Sequence, residues 1–145
     1  MNSAIKTDYE RDFYRWTQTQ AALLRQGRLD QADLENIAEE IESMGKSDKR
    51  AISSYLHNIL LHLLKWQYQT SRRSRSWENS IDNSRHQVER IINDSPSLWA
   101  QVSDLISTEY ASARKSASRQ TRLPVTTFPE LCPFTTEQVT GDYWP

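Results

Sequence analysis

A run of basic and aromatic residues at positions 65–77 carries side-chain types that bind anions. The segment reads "KWQYQTSRRSRSW" and joins two stretches whose apolar residues have helical spacing. Arginine presents a planar fork of N–H donors that matches phosphate and carboxylate oxygens, and tryptophan can stack on a base or on a guanidinium. The candidate partner- or anion-binding residues are Lys65, Trp66, Arg72, Arg73, Arg75, Trp77 and Arg85.

This joint has two open interpretations, one functional and one structural. Residues 65–90 hold six basic and three acidic side chains, a local charge of +3, and the arginines precede the predicted start of a helix, whose free N–H groups favour an anion. In the structural interpretation, basic residues complement the dipole at the end of the preceding helix by about 0.3–1 kcal/mol each. The two tryptophans then simply anchor the helix ends in the core.

An acidic stripe is the second candidate for chemistry. Glu35, Glu39 and Glu42 follow one another at +4 and +3, so they share one helix face, and Glu40 points elsewhere. Helical bundles build metal centres from a Glu-x-x-His pattern, and no histidine here lies three residues after a glutamate. We expect Glu39, Glu40 and Glu42 to form a solvated face or to pair with basic residues such as Lys65 or Arg85.

The histidines and the cysteine give no clear reactive pattern. His57 and His62 are five residues apart, about 140° around a helix, so one turn cannot aim both at one metal. His62 is expected to be a hydrogen-bonded core residue, and Cys132 to be a small packed side chain. We therefore predict no metal ligands and no cofactor, although a metal site built on Glu39, Glu42 and His62 stays open as an alternative.

The composition excludes several classes of protein. The chain has 145 residues, a net charge of −1 and only three glycines, and it lacks the glycine-rich phosphate loops and the GxSxG elbow of common enzyme families. One cysteine permits no internal disulfide, which suits a reducing compartment. No apolar run is long enough to span a bilayer, and no signal core is visible at the N-terminus. These features predict a cytoplasmic protein of one helical domain, residues 1–145, and favour a protein that is not an enzyme.

The elements that would position these residues are helices. A capping box at Thr7 and Glu10 predicts a first helix that ends at Gly27. Four more helices are expected: from Asp30 to Gly45, from Ser47 to about Gln69, from about Trp77 onward, and from Ser95-Pro96 until the pattern fades after Ala113. Together they predict an all-α fold, an up-down bundle of four to five helices over residues 1–120.

The last 25 residues, 121–145, differ in composition from the rest. Four of the five prolines lie there, so the segment cannot be one long helix. Thr135 and Gln138 predict a short capped turn within it. We expect an extended, proline-rich tail that packs on the surface of the bundle through its apolar residues, which are Phe128, Leu131, Phe134, Tyr143 and Trp144.

Four landmark strings carry a resemblance to a known family. They are "YERDFYRWTQTQAALLRQGR", "DLENIAEEIESMGKSDKR", "HLLKWQYQTSRRSRSW" and "LPVTTFPELCPFTTEQV…YWP". In this order and over nearly the whole chain they resemble the bacterial, largely cyanobacterial, family catalogued as domain of unknown function 29. The resemblance implies a small all-helical protein with a bundle core. It implies no activity, and it assigns no functional residue.

The sequence therefore favours a non-enzymatic module that binds another protein through the outer faces of its helices, including the 65–77 region. Tryptophan, tyrosine and arginine, which dominate interface hot spots, are well represented in the chain. Binding of nucleic acid or another anion at residues 65–77 is the first alternative, although the near-neutral charge disfavours it. A metal-binding bundle is the second. No membrane contact is expected, and a homodimer would fill any groove that the helices leave.

Overall fold

The computed structural model describes residues 7–145, and all regular structure in that range is helical, which confirms the predicted all-α fold. The helices are α1 (Asp8–Arg11), α2 (Phe13–Arg25), α3 (Leu34–Tyr68), α4 (Arg75–Asp94), α5 (Trp99–Thr121) and α6 (Thr136–Thr140). Short 3-10 turns occupy Thr70–Arg72, Pro96–Leu98 and Val125–Thr127. None of the described helices carries an apolar stretch long enough to cross a bilayer.

The chain forms two compact units whose boundary falls inside α3. The first unit ends at Lys46, and the second comprises Ser47–Pro145. The first therefore contains α1, α2 and the start of α3. The second contains the rest of α3 and all later helices.

The predicted first helix is interrupted at Asp12. The Thr7 side chain makes no capping hydrogen bond, so the predicted capping box is wrong. Asp12 instead leaves the helical conformation, and its Oδ1 accepts a hydrogen bond from the Arg15 backbone N–H at 3.1 Å. This cap starts a second helix because a short carboxylate satisfies a free N–H at a helix start. α1 is consequently a single turn, and α2 follows it directly.

The second and third predicted helices are one continuous helix, α3. Asp33, rather than Asp30, caps its start, since the Asp33 side chain accepts from the N–H and the amide of Asn36. Gly45 was expected to end a helix, but its backbone does not adopt the left-handed conformation that a terminating glycine uses. Glycine weakens a helix interior by only about 1 kcal/mol. The helix therefore continues on both sides of Gly45.

Replacing Gly45 with alanine should raise the free energy of unfolding by about 0.5–1 kcal/mol, because a Cβ there meets nothing within 4 Å and the helix gains a better helix former. Gly27 is the matched control. It has φ +71°, and the Arg28 and Gly27 N–H groups close the end of α2 on the carbonyls of Leu23 and Leu24. Gly27→Ala should lower stability by about 1–2 kcal/mol. Urea denaturation measures both, and equal effects of the same sign would contradict this account.

The core of the second unit is formed by α3, α4 and α5 in an up-down-up arrangement. Asn58 of α3 donates to the Ser84 hydroxyl of α4 at 2.7 Å, while Lys65, further along α3, lies over the Trp77 ring near the start of α4. α3 and α4 therefore run antiparallel. α5 runs parallel to α3, since His57 faces Glu109 and Lys65 contacts Gln120. The residues buried between the three helices include Leu56, Ile59, Leu60, Leu63, Leu64, Ile81, Val88, Val102, Ile106 and Tyr110.

α5 is longer than the sequence pattern indicated, because its last two turns bury small residues. The pattern was expected to fade after Ala113, but the helix continues to Thr121, and Ala117 and Ser116 are buried. The Thr121 hydroxyl donates back to the Ala117 carbonyl at 2.7 Å. Small side chains give a weak amphipathic signal even where they pack closely, so a pattern based on large apolar residues ends too early.

The C-terminal segment packs on the helices, as expected, and inserts three of its side chains into the core. Phe128, Phe134 and Val139 are all buried in the cluster formed by α3, α4 and α5. The predicted capping box of Thr135 and Gln138 is confirmed, and it starts α6. The prediction for Leu131 is wrong, because its side chain is 82% exposed.

Candidate functional site

The end of α3 and the start of α4 frame the basic joint. α3 ends at Tyr68, a 3-10 turn follows, and Ser74 caps α4 by accepting a hydrogen bond from the Trp77 N–H at 3.3 Å. Arg73 is used locally: its Nε donates to the Trp66 carbonyl at 2.8 Å, and its guanidinium lies 5.0 Å from the centre of the Trp66 ring. Arg73 thus closes the last turn of α3 through contacts within its own chain. Arg75, the first residue of α4, is exposed.

Arg85 does not take part in the basic joint, because its hydrogen bonds hold it against the C-terminal segment. Its side chain donates to the carbonyls of Val139, Gln138 and Tyr143 at 3.0, 2.8 and 2.8 Å. The residue is only 7% exposed, and burial lowers the pKa of its guanidinium. Arg85 therefore holds the C-terminal segment in place, and it does not pair with the acidic stripe. Trp66 also belongs to this region, since its ring packs at 5.0 Å against the ring of Trp144.

Lys65, Arg72 and Trp77 do come together, in a cleft of about 620 Å³ that is open to solvent. The Lys65 ammonium lies 4.6 Å from the centre of the Trp77 ring and 3.1 Å from Gln120 Oε1. Burial lowers the pKa of this ammonium. We call this site the cationic cleft, and its lining residues are Lys65, Gln69, Arg72, Trp77, Gln120, Thr121 and Arg122.

The charge in the cationic cleft is one-sided. Three of its lining residues are cations and none is a carboxylate. Among residues 7–145, the ion pairs within 4 Å join Arg15 to Asp8 and Asp12, and His57 to Glu109. The cations of the cleft therefore have no ion-pair partner in the described chain. A cleft with this lining can accept an anion, and its glutamine amides and tryptophan ring can contact neutral parts of the same ligand.

The residues that α5 contributes to the cleft were not expected from the sequence. Gln120 and Arg122 lie beyond the point where the helix was expected to end, and they are 55 or more residues from Lys65 along the chain. Arg122 ends α5 with φ 62°, and it is the one non-glycine residue of the described chain with positive φ. The sequence signal was the basic run "RQTR" at 119–122. This run lies far along the chain from the arginines of the joint, so the sequence alone does not connect the two groups.

The acidic stripe makes none of the predicted contacts. Glu40 accepts a hydrogen bond from the Tyr9 hydroxyl at 2.6 Å, and Glu39 and Glu42 are exposed. Within residues 7–145, no three His, Cys, Asp or Glu side chains converge as metal ligands would. The structure therefore does not bring Glu39, Glu42 and His62 together. His62 Nδ1 lies 2.8 Å from the Asn58 carbonyl, as expected for a hydrogen-bonded histidine.

Cys132 is half-buried, and its thiol lies 3.5 Å from the Phe134 carbonyl. Burial raises the pKa of this thiol, so the thiolate needed for nucleophilic chemistry is disfavoured. The residue acts as a small packed side chain, in agreement with the sequence analysis.

The first unit carries a second candidate surface, an apolar groove between α2 and the start of α3. The two segments are tied together by hydrogen bonds from Trp16 Nε1 to Asp33 and from the Asp33 N–H to Gln20. Alongside them runs a depression of about 260 Å³. We call it the hairpin groove, and its lining residues are Trp16, Thr17, Gln20, Ala21, Leu24, Ile37, Glu40, Ile41 and Met44.

Comparison with known proteins gives a family and nothing more specific. A family model described as "Domain of unknown function DUF29" matches residues 9–144. No curated protein and no solved structure matches the chain.

Proposed function

Because the chain belongs to the DUF29 family, a domain of unknown function, we propose its function from its own surfaces: it is a non-enzymatic interaction module that binds a second copy of itself through the hairpin groove. The observation that carries this proposal is the exposed apolar lining of the groove. Ile41 is 59% exposed and Met44 is 62% exposed, and Leu24 lies across the groove from them with 40% exposure. Apolar side chains grouped in this way mark interaction surfaces.

The small core of the first unit supports the need for a partner. Of its described residues, Trp16 alone is buried. A helical hairpin with so little internal apolar contact gains little stability from the hydrophobic effect, since burial contributes about 25 cal/mol per Å² of apolar surface. A second hairpin placed on the groove would complete a four-helix arrangement, in which each hairpin buries the apolar face of the other.

The chemistry of the groove favours a helix as its occupant. Its residues recur at helical spacing on both walls, as in the series Thr17, Gln20, Ala21 and Leu24. Its one charged residue, Glu40, already accepts the Tyr9 hydroxyl. A polar substrate would find few free donors or acceptors there, whereas an apolar helix face can pack along the full length of the groove.

A second copy of the chain offers the groove an apolar surface of the same kind. Both walls carry large apolar side chains, Leu24 on α2 and Ile41 and Met44 on α3, and the smaller Thr17 and Ala21 lie beside Leu24. In a two-fold symmetric pair, each copy presents this same surface to the other. The acidic stripe does not interfere, because helical spacing places Glu39 roughly 160–200° around α3 from the groove residues Ile37 and Ile41.

Sedimentation equilibrium of the full chain tests the proposal. The wild-type protein should approach twice the 17.0 kDa of one chain as its concentration rises from about 1 to 100 μM. Ile41→Glu should weaken the association by at least about 30-fold, because it places an unpaired charge in an apolar interface. Leu131→Glu is the matched control. It adds the same charge at an exposed leucine of the second unit and should leave the association unchanged.

A monomer at every concentration would overturn the proposal, and so would an Ile41→Glu variant that associates as well as the wild type. Far-ultraviolet circular dichroism of each variant establishes that helix content is preserved. If Leu131→Glu weakened the association as much as Ile41→Glu, the loss would come from the added charge rather than from the hairpin groove, and the groove would not be the interface.

A further inference from the structure

We infer that the cationic cleft is a binding site for a small molecule that carries more than one phosphoryl group. The inference rests on the meeting of Lys65, Arg72 and Arg122 at one cleft with no carboxylate among its lining residues. It concerns the second unit alone and is independent of the hairpin groove.

Three cations line one cleft, and like charges that converge in this way repel one another. The contacts of Lys65 do not relieve this repulsion. The Gln120 side-chain oxygen and the face of the Trp77 ring attract the ammonium, but both are neutral, so its full charge remains at the cleft. Arg72 and Arg122 are exposed, so solvent screens part of this repulsion, but neither has a carboxylate partner within the described chain. An anionic ligand with several charges would remove the repulsion.

The donor groups match phosphoryl oxygens. The guanidinium groups of Arg72 and Arg122 can each offer two parallel N–H donors, and the ammonium of Lys65 adds a compact positive charge. Gln69 is held in place by a hydrogen bond from its amide to the Thr121 carbonyl at 3.4 Å. The Gln120 amide nitrogen forms no hydrogen bond within the described chain and can donate to a ligand oxygen.

The backbone at Arg122 provides a second, independent indication. The end of a helix in the left-handed conformation is a position that usually holds glycine, because other residues are strained there. Here the residue in this conformation is an arginine, Arg122, and it lines the cleft. Strained backbone that persists at a cleft is a common feature of binding sites.

The size and charge of the surroundings favour a small ligand over a nucleic acid. A cleft of about 620 Å³ exceeds the volume of a single inorganic ion and lies in the range of small-molecule sites. Outside the cleft, Arg73 and Arg85 are already bonded to backbone carbonyls, and of the joint's other arginines Arg75 alone is left exposed beside the cleft. The whole chain has a net charge of −1. A long polyanion would therefore find few additional phosphate contacts.

Calorimetric titration of the full chain with pyrophosphate, in a buffer free of divalent ions, tests the inference. Pyrophosphate should bind with a stoichiometry of one and raise the thermal midpoint. Arg122→Gly is the decisive variant: it removes the guanidinium and also relieves the positive φ, so it should fold at least as well as the wild type while losing at least about tenfold in affinity. Arg72→Ala should lose as much, and Arg90→Ala, which changes an exposed arginine of α4 away from the cleft, should lose nothing.

The absence of binding to the wild type would overturn the inference, and unchanged affinity in Arg122→Gly would do so as well. Equal affinity for sulfate and pyrophosphate would reduce the cleft to a region of general positive charge. Tighter binding of a single-stranded oligonucleotide, with a steep loss of affinity in salt, would assign the site to nucleic acid instead.

Discussion

Phe128→Ala should lower the free energy of unfolding by about 3–5 kcal/mol, the range found when a large aromatic side chain is removed from a packed core. Phe128 is 1% exposed, and its ring meets the Tyr68 ring edge-on with a centroid distance of 5.4 Å. The hydrogen bonds from Arg114 of α5 to the Phe128 carbonyl do not involve the ring, so they cannot compensate for the cavity left behind. Urea denaturation followed by tryptophan fluorescence measures the change.

The control for Phe128→Ala is Leu131→Ala, three residues further along the same segment. The Leu131 side chain is largely exposed, so its removal should change stability by no more than about 0.5 kcal/mol. The sequence pattern predicted the same packing role for both residues, and the structure separates them. If both variants lost less than about 1 kcal/mol, the C-terminal segment would be a loosely attached strip, and its place in the core would be refuted.

The predictions from sequence succeeded where large apolar residues recur at helical spacing. The all-α class and the capping box of α6 follow from local signals, because a cap acts within one turn. They failed at Gly45, where the composition indicated a stop and the backbone stayed helical. A glycine terminates a helix only when the following residues can close it, as at Gly27, and this depends on hydrogen bonds that the residue type alone does not determine.

The candidate site was half predictable for the same reason. Lys65, Arg72 and Trp77 lie within 13 consecutive residues, so their proximity followed from the sequence. Arg122 reaches the cleft because α5 runs parallel to α3, and Arg85 turns inward because the C-terminal segment returns to α4. Both facts depend on the packing of elements distant in sequence. A basic side chain looks the same in the sequence whether it faces a ligand or the carbonyls of its own chain.

Arg85 shows how large this difference is in energy. Its guanidinium donates three hydrogen bonds to the carbonyls of residues 138, 139 and 143, and its central carbon, Cζ, lies 5.7 Å from the centre of the Trp144 ring. Hydrogen bonds from a charged donor contribute about 1.5–3 kcal/mol each. Burying the charge costs several kcal/mol and offsets part of that gain. The remaining Nη1 is buried and makes no hydrogen bond, so the balance is not fully favourable.

Arg85→Met should therefore lower the free energy of unfolding by about 2–4 kcal/mol, since methionine fills part of the volume but leaves three carbonyls without their donor. Arg85→Lys should recover only part of the loss, because a single ammonium cannot reach all three acceptors in the geometry of the guanidinium fork. Arg90→Met is the control. Arg90 is an exposed residue of the same helix, and its replacement should cost no more than about 0.5 kcal/mol.

Hydrogen exchange locates the effect of Arg85→Met within the chain. The amides of α6 should lose protection first, because Arg85 ties the end of this helix to α4, whereas the amides of residues 56–64 in α3 should retain most of theirs. A uniform loss of protection would mean that the segment and the three-helix core unfold as one cooperative unit. Unchanged protection in α6 would show that the burial of Phe134 and Val139 alone holds the segment in place, and the role assigned to Arg85 would then be wrong.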